Sequence, residues 1–180
     1  MGTPASLIAA STLALSFCLS ASAQEVFVLN GIVKDQDSKH LMAKTMITAK
    51  DTLEEGTSER TVHGKTDARG RYSLSLPYDG VYRVEYWAQG HVAKHVIIDL
   101  TRVKEKEREG GNTITLEITL VPSLLRVDYS AYKEAVAICR FDRRAKKFVW
   151  DAEYTAERGS LLDQVATEQR AARKVRVTGQ

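Results

Sequence analysis

The chain has 180 residues, of which 43% are hydrophobic and 27% charged, and its formal net charge is +3. This length accommodates one domain with a sizeable core and a modest extension, and the apolar content excludes a wholly disordered chain. The charge is unevenly placed. Residues 24–121 contain 14 basic and 15 acidic residues, whereas residues 122–180 contain 12 basic and 8 acidic residues.

The first 24 residues differ from the rest because they contain no Asp, Glu, Lys or Arg. Leu7–Leu19 is an apolar stretch too short to span a bilayer comfortably, and Ala21–Ala23 is a small-residue cleavage box. This pattern predicts a secretory signal peptide over residues 1–23, although the usual positive n-region is missing. A retained membrane anchor is one alternative, and lipidation of Cys18 is another, disfavoured by the bulky Phe17 beside it. We expect an exported protein, located in the periplasm or at the outer-membrane or cell surface.

The body of the chain reads as short extended segments separated by turns. The predicted strands cover residues 25–34, 41–49, 61–66, 71–76, 82–86, 92–100 and 112–121. In the last of them, Ile114 to Leu120 alternate with polar residues, and this period of two indicates a half-buried strand. Because no helical period interrupts these strands, we predict a mainly β fold, a seven-stranded antiparallel β-sandwich over residues 24–121.

Residues 122–180 form a basic C-terminal extension with a different pattern. The apolar runs 135–141 and 147–150 predict a small hairpin around a basic turn, and Asp151 is a suitable N-cap for a following helix. Cys139 is the one cysteine left once the signal peptide is removed, and its apolar neighbours predict a buried thiol. The extension either docks on the sandwich or engages a partner, and the sequence leaves both possibilities open.

A motif of glycines, aromatic residues and a Thr–Asp turn runs through the body. It consists of Gly31, Val33 and Asp35, then Thr66, Asp67, Gly70, Tyr72 and Leu74, and then Gly80, Tyr82, Val84 and Gly90. The motif resembles that of the carboxypeptidase regulatory-domain-like family, a transthyretin-like β-sandwich of many bacterial envelope proteins. It departs from that family's pattern at Ala43–Lys44 and at His91. The resemblance implies an accessory sandwich without catalytic residues.

The side chains that could carry chemistry do not converge along the sequence. On one strand, His91 and His95 would share a face but lie about 13 Å apart, too far to share a metal ion. His40 and His63 have no ligand pattern around them. Glu85, the acid that an isopeptide crosslink would need, faces outward by its position in the alternation. We therefore predict no enzymatic activity, no metal and no cofactor.

Two groups of residues are candidates for binding. Tyr82 and Tyr86 fall on the core face of their strand, which leaves Tyr78 and Trp87 as exposed rings on which a sugar could stack. The basic turn of the extension offers a second group to an acidic protein or envelope surface. Its members are Arg143, Arg144, Lys146 and Lys147. We expect a non-catalytic exported envelope module that acts by protein–protein binding or structural support, with carbohydrate binding as the alternative and nucleic acid not expected.

Overall fold

The computed structural model describes residues 25–53, 60–109 and 111–178. The predicted signal peptide, Cys18 and most of the charged loop before Arg60 lie outside these residues. Within the described part, ten strands precede one long helix. They are β1 (Val26–Asp35), β2 (Met46–Asp51), β3 (Thr61–Lys65), β4 (Arg71–Pro77), β5 (Val81–Trp87), β6 (His91–Val92), β7 (Lys94–Asp99), β8 (Asn112–Pro122), β9 (Ala137–Asp142), β10 (Lys147–Trp150) and α1 (Ala152–Thr178).

The strands form two sheets. One has the order β4-β1-β8-β6, and the other has the order β10-β9-β7-β5-β2-β3. This confirms the predicted mainly β sandwich with a C-terminal hairpin and a helical tail. Two neighbouring pairs, β1 with β8 and β7 with β9, are parallel, so the expectation of purely antiparallel pairing is wrong for them. Parallel neighbours need long connections, and alternation within a strand carries no information about its partner.

The core lies between the inner faces of the two sheets. In β4 and β5 every second side chain is buried, as the alternation predicts, and Tyr82 and Tyr86 have no exposed surface. The hydroxyls of Tyr72 and Tyr86 lie 2.9 Å apart, and Tyr72 also donates to the Leu116 carbonyl at 3.0 Å. Burial raises the pKa of Tyr72 to about 12. The polar ends of these rings are therefore paired inside the core and stay protonated.

The segment expected as one strand over residues 92–100 is in fact divided. β6 pairs with β8 in the smaller sheet, and the chain then passes through Ala93 to β7 in the larger sheet. His91 and His95 therefore belong to different sheets and do not share a face. His91 Nε2 lies 2.8 Å from Asp35 Oδ2, whereas His95 is buried. The sequence shows no break at Ala93 because both halves are extended.

The C-terminal extension packs on the body of the fold. β9 continues the larger sheet beside β7, and β10 pairs with β9 as the predicted hairpin. The Tyr154 amide donates to Asp151 Oδ1 at 3.0 Å, which confirms Asp151 as the helix N-cap. Further along α1, Val165 packs with Val121 and Tyr132 in a small second core. Gln169 Nε2 donates to the Pro122 carbonyl at 2.8 Å, so the helix is held against the end of β8.

Candidate functional site

The basic hairpin, which we define as β9, the turn 143–146 and β10, is shaped by its own sequence. The Asp142 carboxylate accepts hydrogen bonds from the amides of Arg144 and Ala145, at 2.7 and 3.0 Å. These bonds hold the pKa of Asp142 below its usual value. Lys146 adopts a φ of 50°, in the left-handed region that closes the turn onto Lys147. The turn residues are exposed, so four basic positions project from one end of the larger sheet.

Aromatic packing fixes the basic hairpin to the sandwich. The Phe148 ring lies 4.6 Å from the ring of Phe27 in the opposite sheet and 5.3 Å from Phe141. Cys139 and Phe141 are buried, at 0% and 4% exposure. Because these contacts join the hairpin to both sheets, the turn is presented on a rigid support.

An open recess of about 490 Å³ lies at the foot of the turn. We call it the arginine recess. Its lining consists of Arg102, Arg140, Phe141, Asp142, Arg143, Arg144 and Val149. Arg102 comes from the segment after β7, and it meets the basic hairpin because β7 and β9 are neighbours in the sheet. Four arginine residues therefore line one depression, although they come from separate segments of the chain.

The charges around the arginine recess are partly compensated. Arg140 Nη2 lies 2.7 Å from Asp151 Oδ2, and Arg102 Nε lies 3.9 Å from Asp99 Oδ2. Arg143 and Arg144 form no ion pair among the described residues, although the charge of Arg144 helps to lower the pKa of the Asp142 carboxyl. Guanidinium groups bind carboxylates and phosphates in a two-pronged geometry. The arginine recess is therefore suited to an anionic group.

The sequence identified only part of this site. Arg143 and Arg144 line the arginine recess, whereas Lys146 and Lys147 are exposed beside it. Arg140 faces outward between the buried Cys139 and Phe141, so the alternation in β9 contained a usable signal. Arg102 carried none, because its place depends on the pairing of β7 with β9.

The two aromatic candidates have different surroundings. Trp87 is 48% exposed and lies opposite Met46, which is also 48% exposed, on the outer face of the larger sheet. Tyr78 is only 4% exposed, so the expectation that it faces solvent is wrong. Its hydroxyl accepts a hydrogen bond from Asn112 Nδ2 at 2.8 Å, and the Arg108 guanidinium lies 4.9 Å from its ring. Arg108 is fixed there by pairing with Asp79. The sequence places Tyr78 in a turn and does not reveal that Asn112 and Arg108 contact it.

The motif residues have structural contacts. The Thr66 hydroxyl donates to the Met42 carbonyl at 2.6 Å, and the Asp67 carboxylate accepts from the Arg69 and Arg71 amides at 2.8 and 2.9 Å.

The glycines of the motif meet backbone requirements. Gly70 has a φ of 65°, which favours glycine. A β-carbon at Gly31 would stand 1.8 Å from the Leu116 carbonyl oxygen, so the close approach of β1 to β8 requires glycine. Tyr72 and Tyr82 are in the core, and Gly90 turns the chain with a φ of 76°.

Three further titratable side chains, Cys139, His95 and Glu85, are engaged in the fold. Burial raises the pKa of the Cys139 thiol to about 12, and burial lowers the pKa of His95. Glu85 is partly exposed and pairs with Arg83 at 3.2 Å, as its outward position predicts. Among the described residues, no group of three or more His, Cys, Asp or Glu side chains is arranged to hold a metal ion. In the same residues, no helix has the length and apolar character that crossing a membrane requires.

No protein-family model matches the chain, and no curated protein sequence matches it. Among solved structures, it is similar to chlorocatechol 1,2-dioxygenase from Pseudomonas putida, at 12% identity and a TM-score of 0.41 over 54% of this chain and 60% of that one. The Bacillus anthracis TIE protein matches at 20% identity and a TM-score of 0.40, over 54% and 17% of the two chains.

The C-terminal domain of shaft pilin SpaA from Lactobacillus rhamnosus GG matches at 11% identity and a TM-score of 0.38, over 54% of this chain and 98% of that domain. The chain thus spans less than two thirds of the dioxygenase and a small part of the TIE protein. At these identities and TM-scores, the three matches assign neither a family nor an activity.

Proposed function

We propose that the protein is a non-catalytic, exported module of the cell envelope that acts by protein–protein binding, and that the basic hairpin is its contact surface. The predicted signal peptide over residues 1–23 supports export, to the periplasm or the cell surface. The contacts of Gly31, Thr66, Asp67 and Gly70 support kinship with the carboxypeptidase regulatory-like sandwiches, because each residue meets a backbone requirement of this fold.

The observation that carries the proposal is the convergence of four arginines on a rigid element. Arg102, Arg140, Arg143 and Arg144 line one recess, and the aromatic contacts of Phe148 hold the hairpin that presents it. A preorganised cluster loses little conformational entropy when it binds. The run 143–147 adds four positive charges beside the recess, and an excess of one charge raises the association rate of an oppositely charged partner. An acidic surface on another envelope protein matches this chemistry.

A non-catalytic role is supported by how the potentially reactive groups are used. His91 is held by Asp35, and its Nδ1 lies 3.0 Å from the Gln89 carbonyl oxygen. Cys139 is buried with its thiol protonated, and the paired tyrosines lie inside the core. These side chains contribute to the fold and are not directed at the arginine recess.

Site-specific crosslinking in intact cells tests the proposal. A photo-reactive residue at Ala145, which is exposed in the turn, is expected to capture an acidic partner protein. The double substitution R143E/R144E should lower the yield by about tenfold or more, because it replaces attraction by repulsion. The matched control K65E/R69E makes the same charge change at exposed positions on β3 and the following turn, and should leave the yield unchanged. Equal capture of the same proteins by all three chains would refute the proposal.

Carbohydrate binding is the second candidate, favoured by the exposure of Trp87 beside Met46. An exposed indole is a suitable platform for a sugar ring. The buried Tyr78 removes the second ring that the sequence had offered. Glycan arrays with the wild type and Trp87→Ala distinguish the candidates: retention of a glycan that the variant loses supports this alternative, and no retention by either chain rejects it.

A further inference from the structure

β10 is an edge strand, since it ends the larger sheet and pairs only with β9 among the described residues. The Asp151 amide donates to the Ile138 carbonyl at 2.8 Å. In an antiparallel pair, hydrogen-bonded positions alternate with positions whose backbone points away. The register of β10 on β9 therefore directs the backbone of Lys147 and Val149 toward β9. The amides and carbonyls of Phe148 and Trp150 point out of the sheet, where another strand can pair with them.

From this edge and its charges, we propose that an acidic segment of a partner protein adds to β10 as an extended strand and places its carboxylates in the arginine recess. This inference rests on the proposed function and specifies the conformation and chemistry of the partner. Strand addition supplies affinity through backbone hydrogen bonds, and it supplies specificity through alternate side chains.

Charge complementarity identifies the occupant. Neighbouring strands lie about 4.8 Å apart, and every second side chain of an added strand falls on the outer face. On that face β10 presents Val149 and β9 presents Arg140, both of which line the arginine recess. A glutamate beside Val149 lies two strand spacings, about 10 Å, from Arg140 on β9, a gap that a glutamate and an arginine side chain can bridge together across β10. A second glutamate two residues along the added strand lies beside Lys147, next to the turn that carries Arg143 and Arg144.

The opposite face of the added strand sets a second requirement. Phe148 and Trp150 direct their side chains toward the interior, where both pack against the core. Alternate residues of an added strand lie beside these rings and extend the apolar layer. The partner segment is thus expected to alternate acidic with apolar or β-branched residues. The β3 edge at the other end of the sheet presents the exposed residues Thr61, His63 and Lys65.

A peptide-binding experiment on the full chain tests this mode. The probe is a short peptide in which glutamate alternates with valine and threonine, and binding is followed by amide hydrogen exchange and by titration. We expect the peptide to slow exchange at Phe148 and Trp150 by about tenfold or more, since each amide gains a hydrogen-bond partner. R143E/R144E should weaken binding by about tenfold, whereas K65E/R69E should not. N-methylation of the peptide on its pairing edge should abolish the protection without changing its charge.

The outcomes separate this inference from the proposed function. If the peptide binds and R143E/R144E removes binding, but Phe148 and Trp150 gain no protection, strand addition is wrong while an acidic contact stands. If the peptide does not bind, or a lysine-containing version binds equally well, the inference is also wrong. The proposed function is tested separately by the crosslinking experiment in cells. It is wrong if the crosslinks are the same with and without Arg143 and Arg144.

Discussion

The rings of Phe27 and Phe148 lie 4.6 Å apart, one in β1 at the start of the sandwich and the other in β10 near its end. This contact joins the two sheets across the interior, and the Phe141 ring completes the cluster at 5.3 Å from Phe148. The C-terminal hairpin is thus packed into the same core as the first strand. This packing holds the basic turn in a fixed position on the sandwich.

Phe148→Ala tests how strongly the hairpin is held. The substitution leaves a cavity beside Phe27 and Phe141 and should lower the free energy of unfolding by on the order of 3 kcal/mol. Leu125→Ala is the control, because Leu125 is 87% exposed and its loss should change stability by less than about 0.5 kcal/mol. Urea denaturation measures both variants. Equal stability of the two would show that the hairpin does not share the core.

Asp35 makes the stability of the fold depend on pH in the acidic range. Burial of this carboxyl tends to raise its pKa, but hydrogen bonds from His91, Ser38 and Asp37 outweigh burial and hold the pKa well below its usual range. A depressed folded-state pKa contributes stability above the unfolded value of about 4, and this stability is lost as the pH falls below it.

Asp35→Asn should therefore destabilise the protein at pH 7 by roughly 2 kcal/mol, because it removes a charged acceptor. The variant should also lose less stability than the wild type between about pH 5 and pH 3, because the carboxyl of Asp35 titrates in this range when the protein is unfolded. Urea denaturation across this range checks the prediction. Parallel stability profiles for the two chains would show that Asp35 makes no special contribution.

Most strands were predictable from local patterns, although the one expected over residues 41–49 runs from Met46 to Asp51. Which strands lie next to each other in the sheets was not predictable. The alternation from Tyr72 to Leu76 sets which side chains are buried, whatever strand lies beside them. The parallel pairing of β1 with β8 joins residues far apart in the chain, and only the three-dimensional arrangement reveals it. The passage of the chain between sheets at Ala93 was missed for the same reason, because an extended backbone continues on both sides.

The candidate site was half predictable. Arg143 and Arg144 stand in a recognisable turn, but the arginine recess also needs Arg102, which the pairing of β7 with β9 brings beside them. Tyr78 illustrates the opposite error. A tyrosine in a turn is expected to be exposed, yet Arg108 from the segment before β8 and Asn112 at the start of β8 cover it. Both discrepancies arise from contacts between distant segments.

Cys139 provides a probe of opening at the β7–β9 junction. The thiol is fully buried, and burial raises its pKa to about 12, so the reactive thiolate is scarce near neutral pH. We expect a thiol reagent to label Cys139 of the native protein at pH 8, roughly the pH at which free thiols react readily, only as fast as the core opens. Urea should accelerate labelling of this residue in parallel with unfolding. Rapid labelling of Cys139 in the native chain, located by peptide mapping, would contradict the described packing of β9.

Thermal unfolding of a chain truncated after Pro122 tests most directly whether the strands on both sides of that residue share one core. Truncation removes β9, β10 and α1, and with them the partners of Phe27 and β7. The melting temperature should fall by more than about 5 °C, and a dye that binds exposed apolar surface should bind the truncated chain. A truncated chain that melts at the same temperature as the full chain, and binds no dye, would show that the strands before and after Pro122 do not share one core.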